Sequence, residues 1–497
     1  MSERRSAWCG VDIGTQGVRA AAVDAEGRVL ATGTAPLPDG ERHSGRHEQD
    51  PESWWAATVA ALRGATTQLA GDVRIEALAL DATSGTVLVE DAHGAPVGPA
   101  LMYDDARAVA QAQRAQSVGH ELWTALGYRM QTSWALPKVL WLRENDHVRH
   151  GDGVVHQSDH LVRRLTGHAV PTDSSHALKT GVDLRTVSWP TDLFGALDLP
   201  VALLPDVTLP GTPLGVVGVE AAAATGLPAG LPVHAGMTDG CAAQIASGAL
   251  SNGAWSSALG TTLVLKGATS DLLRDPTGAV YCHRSPDGGW LPGGASSTGA
   301  GVLRQTFPDA DLTALTVAAA ALGTPRTVTY PLAGTGERFP FVAGDAHGFR
   351  TGASDDPAAV FSAICHGVAY VERLAYAVLG HLGADVSGPV TISGGATRNP
   401  WWNQLRADVL GRPLLLTGSV EAAVGMAVLA ASPPGELAST AARMVHVEQT
   451  VEPDLTSRDD LERGYRRLVA ALAERGWLDR DLADAVVGGP APRQATP

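Results

Sequence analysis

Cysteine is scarce in this chain of 497 residues. Its four cysteines, Cys9, Cys241, Cys282 and Cys365, are too widely scattered for a CxxC metal site or a dense disulfide framework. The GxxxxGK phosphate loop, the GxGxxG dinucleotide turn, the HExxH zinc helix and the GxSxG nucleophile elbow are all missing, which sets aside several large enzyme classes. No apolar run approaches the roughly 18 residues that a bilayer crossing needs. Basic residues are in deficit, with 37 Lys and Arg against 52 Asp and Glu and a net charge of −15 at pH 7. A body this acidic repels phosphate polymers and anionic lipid, so neither nucleic acid nor membrane is an expected partner. The expectation is a globular, soluble, cytoplasmic protein.

Apolar material is plentiful. Hydrophobic residues make up 44% and charged residues 18%, enough for packed cores, and the length argues for two or three domains. The segment from Trp8 to Asp24 reads as two apolar strands joined at Gly14-Thr15-Gln16-Gly17, with a third strand over Arg28–Gly33. Asp50-Pro51-Glu52 supplies a cap and a proline start for a helix over Ser53–Leu69. A strand follows at Ile75–Leu80, with helices at Ala106–Gln116, Pro137–Arg143 and Ser158–Leu165. Alternating strand and helix signals predict an α/β protein. Near the middle, Gly253–Leu259, Gly260-Thr261-Thr262 and Leu263–Gly267 repeat the opening strand, turn and strand. A shift of 246 positions lays Gly14-Thr15 on Gly260-Thr261, as in a duplicated two-lobed nucleotide fold. The second half adds a helix over Pro357–Gly383, a strand over Pro389–Ser393, a Gly394-Gly395 turn and a helix over Trp401–Gly411.

Several of these residues are equipped for chemistry. Each Gly-Thr turn sets flexible backbone beside hydroxyls, which suits a phosphate, although an ordinary hairpin looks the same. Asp12 lies inside an apolar strand, where a carboxylate needs a cation, a water or a donor, and a magnesium-bound water would serve. Asp239 precedes an apolar helix, either as its cap or as a fixed, ionised general base. Ser393-Gly394-Gly395-Ala396-Thr397-Arg398-Asn399-Pro400 lets a flat ring lie on bare backbone. Asp81–Thr86 and Tyr103–Arg107 offer hydroxyls and carboxylates to a polyhydroxylated ligand. Trp54-Trp55 and Trp401-Trp402 read as helix packing, and the sixteen histidines show no ligand spacing.

Taken in order from Val11-Asp12-Ile13-Gly14-Thr15 through Glu48-Gln49-Asp50-Pro51, Gly236–Gly240, Leu259-Gly260-Thr261-Thr262 and Ser393–Ala396 to Glu421–Gly425, the sequence resembles the FGGY carbohydrate kinases over nearly its whole length. The resemblance implies ATP-dependent sugar phosphorylation on two lobes of the actin-like, ribonuclease H-like fold, with the site in the cleft between lobes of about 1–248 and 249–485. Residues 486–497 are expected to form a disordered tail. It implies that Asp12, Gly14 and Thr15 form a first phosphate and magnesium site, with Asp12 reaching the metal through water, and that Gly260 and Thr261 form a second. Asp239 becomes the catalytic base, Gly394, Gly395, Ala396 and Asn399 the adenosine turn, and Asp12, Ser84, Asp105 and Asp239 the residues facing the sugar.

Two departures bear on the sugar. Xylulose kinases of the family typically carry Met-His-Gly and Trp-Asn-Asp, where this chain has Thr83-Ser84-Gly85 and Tyr103-Asp104-Asp105. Together with Ala177–Gly181 and His283–Ala295, these look more like the D-ribulose kinase and plant-type xylulose-kinase-like branch. The resemblance therefore points to D-ribulose. D-xylulose, or a sugar sensor or chaperone-like ATPase of the same fold, are the alternatives, and Lys179 is read either as a third sugar contact or as a surface lysine.

Overall fold

Arg5–Ile13 and Gly17–Asp24 fold back on each other as an antiparallel pair, with Ile13 opposite Val18 and Asp12 opposite Arg19. The computed structural model in which they lie describes residues 5–352 and 354–488. Val29–Pro36 continues the pair antiparallel on one side. On the other side Val73–Ala82 runs parallel to the first strand and sets Asp81 beside Asp12. Pro232–His234 adds in parallel and Pro213–Val216 closes the six-stranded sheet antiparallel. The central strands are mostly apolar because both faces are covered, which makes Asp12 and Asp81 stand out.

The helix Pro51–Thr66 is capped by Asp50, which accepts from the Glu52 N–H, and packs through Trp54, Ala57, Ala61, Leu62 and Ala65. Ala422–Ala431 contains no polar side chain and buries nearly all of its residues. Its backbone touches the first strand: a Cβ on Gly10 would stand 1.8 Å from the Ala423 carbonyl oxygen, and one on Gly425 would stand 2.0 Å from that of Ala242. Only glycine permits such contact between backbones. This contact explains why a helix so late in the chain belongs to the first compact unit. That unit holds the residues up to Gly248, His283–Trp290 and Ser419–His446; the second holds Ala249–Cys282, Leu291–Gly418 and the residues from Val447 on. The two returning segments are absent from the division at 248/249 expected from sequence.

In the second unit, Trp255–Leu259 and Leu263–Gly267 form the antiparallel pair, flanked by Trp290–Ala295 antiparallel on one side. On the other side follow Val390–Ser393 and Leu414–Thr417 in parallel and Val447–Val451 antiparallel. From these strands the succession of pairings is the same as in the first sheet, so the 246-residue offset read from two short turns corresponds to two sheets of one plan. A buried ion pair, Arg406 with Glu372 at 2.7 Å and both fully buried, joins the helices Pro357–His381 and Pro400–Leu410, and Ser257 Oγ completes it at 2.9 Å.

Helix existence follows sequence expectation closely, with Val109–Val118, Ala135–Glu144 and Gln157–Thr166 within a few residues of the predicted spans. Among the features not anticipated are a five-stranded side sheet, from Glu41–His43 to Gly153–His156, the long hairpin Val328–Glu337 with Ala343–Thr351, and the helices Ala422–Ala431 and Arg458–Glu474. Residues 486–488, expected in a disordered tail, close the helix Arg480–Gly488, and 489–497 lie outside the described residues. No helix among the described residues is long and apolar enough to cross a membrane.

Candidate active site

Strand register brings three carboxylates of the first unit into electrostatic contact. Asp12 is flanked at the same level by Arg19 on one neighbouring strand and Asp81 on the other. It is 8% exposed, and its Oδ2 accepts from Arg19 Nη1 at 2.9 Å. Burial raises the Asp12 carboxyl above its ordinary range, while hydrogen bonds from Asp81 and Arg19 pull it back. Asp81 is fully buried, and its oxygens meet no N–H or hydroxyl donor. Burial first, then the charges of Asp12 and Asp239, push it well above the usual range.

Asp239 opens the helix Asp239–Ala246, as its position before an apolar run implied, but the cap residue is Thr238. Ser175 Oγ accepts from the Thr238 N–H at 3.0 Å, and a bridge pairs Thr238 with Ala82, next to Asp81. The Asp239 side chain stays exposed, with Oδ1 accepting from the Gly240 N–H at 2.7 Å. An exposed carboxylate in the first turn of a helix is held in place by the positive end of the helix dipole. The Gly14-Thr15 turn beside these groups is tied by Gln49, which donates to the carbonyls of Thr15 and Pro38 and accepts from Trp54 Nε1 at 2.7 Å. Glu48-Gln49-Asp50-Pro51 is therefore a brace, with Asp50 as helix cap and Glu48 paired to Arg107 at 2.6 Å.

The expected sugar-facing residues divide into two kinds. Ser84 is half-buried, its Oγ has no partner, and its carbonyl accepts from Lys179 Nζ at 2.9 Å. Lys179 is thus no free surface lysine but a half-buried group against the Ser84 turn. Asp105, by contrast, is fully buried and engaged by Arg107 at 2.7 Å and by the His47 N–H at 2.7 Å. Its neighbour Asp104 is the more open of the two, meeting Arg42 at 2.9 Å and His47 Nδ1 at 2.5 Å. Lys138, which nothing in the sequence singled out, is fully buried under this segment and donates to the Met102 carbonyl at 2.7 Å. Burial and the charge of Lys179 push its ammonium down to about 7. A lysine inside an apolar helix would have been the signal.

In the second unit the glycine turns keep their surfaces open. Nothing lies within 4 Å of a Cβ built on Gly260 or on Gly395, whereas one on Gly394, at φ +89, would stand 2.5 Å from the Leu259 carbonyl oxygen. Gly394 is required by the backbone, and Gly395 is free to receive a ligand. The Gly260-Thr261 turn is held from behind, its two carbonyls accepting from Ala300 and Gly301 at 2.9 and 3.1 Å. Ala396 is buried beside it in sequence at the Gly394-Gly395 turn, and Asn399 caps the next helix, accepting from the Trp402 N–H and donating to Thr316 Oγ1 at 2.9 Å. Asn399 thus has a structural task whatever else it does. Among the described residues no group of three or more His, Cys, Asp or Glu side chains could hold a metal ion.

Comparison with known proteins identifies the family. The N-terminal domain of the FGGY family of carbohydrate kinases matches residues 7–246 and the C-terminal domain of that family matches 255–432. A xylulose kinase of Streptomyces rubiginosus is 31% identical over 495 residues, covering 94% of this chain and 97% of the relative. An apulose kinase of Pectobacterium atrosepticum is 26% identical, covering 93% and 97%. The crystal structure of a xylulose kinase from Rhodospirillum rubrum superposes with a TM-score of 0.85 at 26% identity, covering 95% of this chain and 99% of that one. The α/β architecture is that of the actin-like ATPase fold.

Proposed function

The chain belongs to the FGGY family of carbohydrate kinases, which are sugar phosphotransferases, and from that premise we propose that it transfers the γ-phosphoryl group of ATP to the terminal hydroxyl of a keto-pentose. The observation that carries this reading is the exposed Asp239 at a helix start, electrostatically coupled to the buried Asp12–Asp81 pair. Asp239 accepts the hydroxyl proton as the oxygen attacks, which requires a fixed, accessible carboxylate. Gly14-Thr15 and Gly260-Thr261 hold the phosphates on backbone, and the open Gly395 surface takes the adenine. The residues present fit ATP, because the glycines at 260 and 395 leave space that a side chain would fill.

They also fit magnesium arriving with its phosphates, which Asp12, a carboxylate with one oxygen held by Arg19, would reach through water. Magnesium would supply neutralisation of phosphate charge. Arg19, at 2.9 Å from Asp12, keeps that carboxylate oriented meanwhile.

Within the keto-pentoses, D-ribulose is the proposed substrate, on the Thr83-Ser84-Gly85 and Tyr103-Asp104-Asp105 loops, with Lys179 beside Ser84 as a third contact. D-xylulose is the second reading, favoured by the activity printed for the relatives from Streptomyces rubiginosus and Rhodospirillum rubrum. Phosphorus NMR of the product from ATP, magnesium and each pentulose tests the proposal. A phosphomonoester on the terminal carbon is expected, and ATP left intact, or cleaved to free phosphate, would refute it.

A further inference from the structure

Two buried polar atoms at the Thr83–Thr86 turn lack partners: Ser84 Oγ and the carboxamide nitrogen of Gln157. The last belongs to a residue with no place in the phosphate or base machinery. Gln157 is fully buried as the first residue of the helix Gln157–Thr166. Its Oε1 accepts twice from one residue, from Thr83 Oγ1 at 2.7 Å and from the Thr83 N–H at 3.2 Å. Thr83 Oγ1 also meets Thr86 Oγ1 at 2.6 Å, and the Gln157 N–H donates to the Thr86 carbonyl at 3.4 Å. The Thr83–Thr86 turn is therefore clipped at both ends to the start of that helix.

The clip matters because of what the turn presents. Ser84 sits at its apex, with an unpartnered hydroxyl and a carbonyl already held by Lys179. Gly85, at φ +97, is pressed from the other side by Lys179, whose Cδ would lie 3.1 Å from a Cβ there. With the carbonyl fixed by Lys179 and Thr83 fixed by Gln157, the Ser84 hydroxyl has little freedom to follow a sugar whose hydroxyl lies elsewhere. A buried donor or acceptor left unpaired is costly, so a ligand that pairs it gains over its epimer.

We infer that Gln157 is the positioning residue for sugar choice: by clamping Thr83 it fixes the Ser84 hydroxyl against one configuration of a keto-pentose hydroxyl. The inference rests on the pentulose-kinase reading and deepens it, because it assigns the selectivity to a residue outside the loops that touch the ligand. Gln157 acts through Thr83 and Ser84 and takes no part in proton or phosphoryl transfer.

The test compares wild type with Gln157→Met, Thr83→Val and Thr83→Ser, using D-ribulose and D-xylulose as probes. Sugar affinity is read by calorimetry and kcat/KM by ADP release, with the KM for ATP and thermal melting measured alongside. Gln157→Met and Thr83→Val should each raise the KM for the preferred pentulose about 10-fold and shrink the ratio between the two sugars, with kcat and the KM for ATP nearly unchanged. Thr83→Ser keeps the hydroxyl and should keep the wild-type ratio. If Gln157→Met fails to fold, Thr83→Val against Thr83→Ser decides the matter. An unchanged sugar ratio in the folded variants overturns the inference and leaves the kinase reading standing. A wild type that neither binds nor turns over any pentulose overturns both.

Discussion

Replacing Asp239 with Asn separates chemistry from fold more cleanly than any other change in this molecule. The side chain is exposed, and among the described residues its one hydrogen bond is accepted from the neighbouring Gly240 N–H. An asparagine oxygen can accept that bond. What is lost is a negative charge in the first helical turn, worth about 0.3–1 kcal/mol. The structural cost is thus small beside the catalytic one, since a positioned base contributes about 10²–10⁴-fold, or roughly 3–6 kcal/mol at 1.4 kcal/mol per factor of ten. The ratio between these figures decides the reading. Turnover should be followed by ADP release at saturating pentulose and ATP, with melting temperature and ATP affinity as controls. Asp239→Asn should melt within a few degrees of wild type, bind ATP normally and lose at least about 100-fold in kcat. A variant with near-normal kcat would refute Asp239 as the base. Equal losses of kcat and melting temperature would instead make Asp239 structural.

Three further outcomes are expected. Gly395→Leu should leave melting unchanged, because nothing lies within 4 Å of a Cβ there, while weakening ATP far more than pentulose in calorimetry; loss of sugar binding alone would move the nucleotide elsewhere. Gly10→Ala should lower thermal stability sharply, since the new methyl would stand 1.8 Å from the Ala423 carbonyl oxygen, and a melting temperature equal to wild type would contradict the strand–helix contact. Burial pushes His366 down to about 4 from an ordinary 6.5, so its contribution is fully present above pH 6.5 and is lost as pH falls toward 4. Urea unfolding should show wild type losing about 3 kcal/mol relative to His366→Gln between pH 7 and 4, and a pH-independent difference would contradict the assignment.

Much of the candidate site is visible in the sequence because its residues are out of place in their local pattern. Asp12 is a carboxylate inside an apolar strand, and Gly14-Thr15 and Gly260-Thr261 are punctuation between strands, so each announces itself without knowledge of tertiary contacts. Asp239 is legible as a helix start, yet the cap falls to Thr238, since a side chain at the first helical position has only its neighbour's N–H in reach. Partnership across the chain is what the sequence conceals. Asp105 reads as an open loop carboxylate, but Arg107 and the His47 backbone occupy it, and the latter contact spans 58 positions. Lys138 stands inside an apolar helix, but its bond to the Met102 carbonyl and its complete burial are visible only in the structure. Gln157 stands 74 positions from Thr83, so nothing in its local sequence reports the clip. The helix Ala422–Ala431 is apolar on every side, and its return to the first strand becomes visible only when Gly10 is seen to need the space.

Dependence of ATP cleavage by the purified chain on a keto-pentose is the most direct test of sugar phosphorylation. ADP release should be measured at equal ATP and magnesium with D-ribulose, D-xylulose, L-ribulose, L-xylulose and glycerol, and without sugar. Turnover that needs a pentulose and is fastest with D-ribulose is the predicted result. Preference for D-xylulose would contradict the choice of sugar, and ADP release indifferent to every sugar would contradict the kinase mechanism itself.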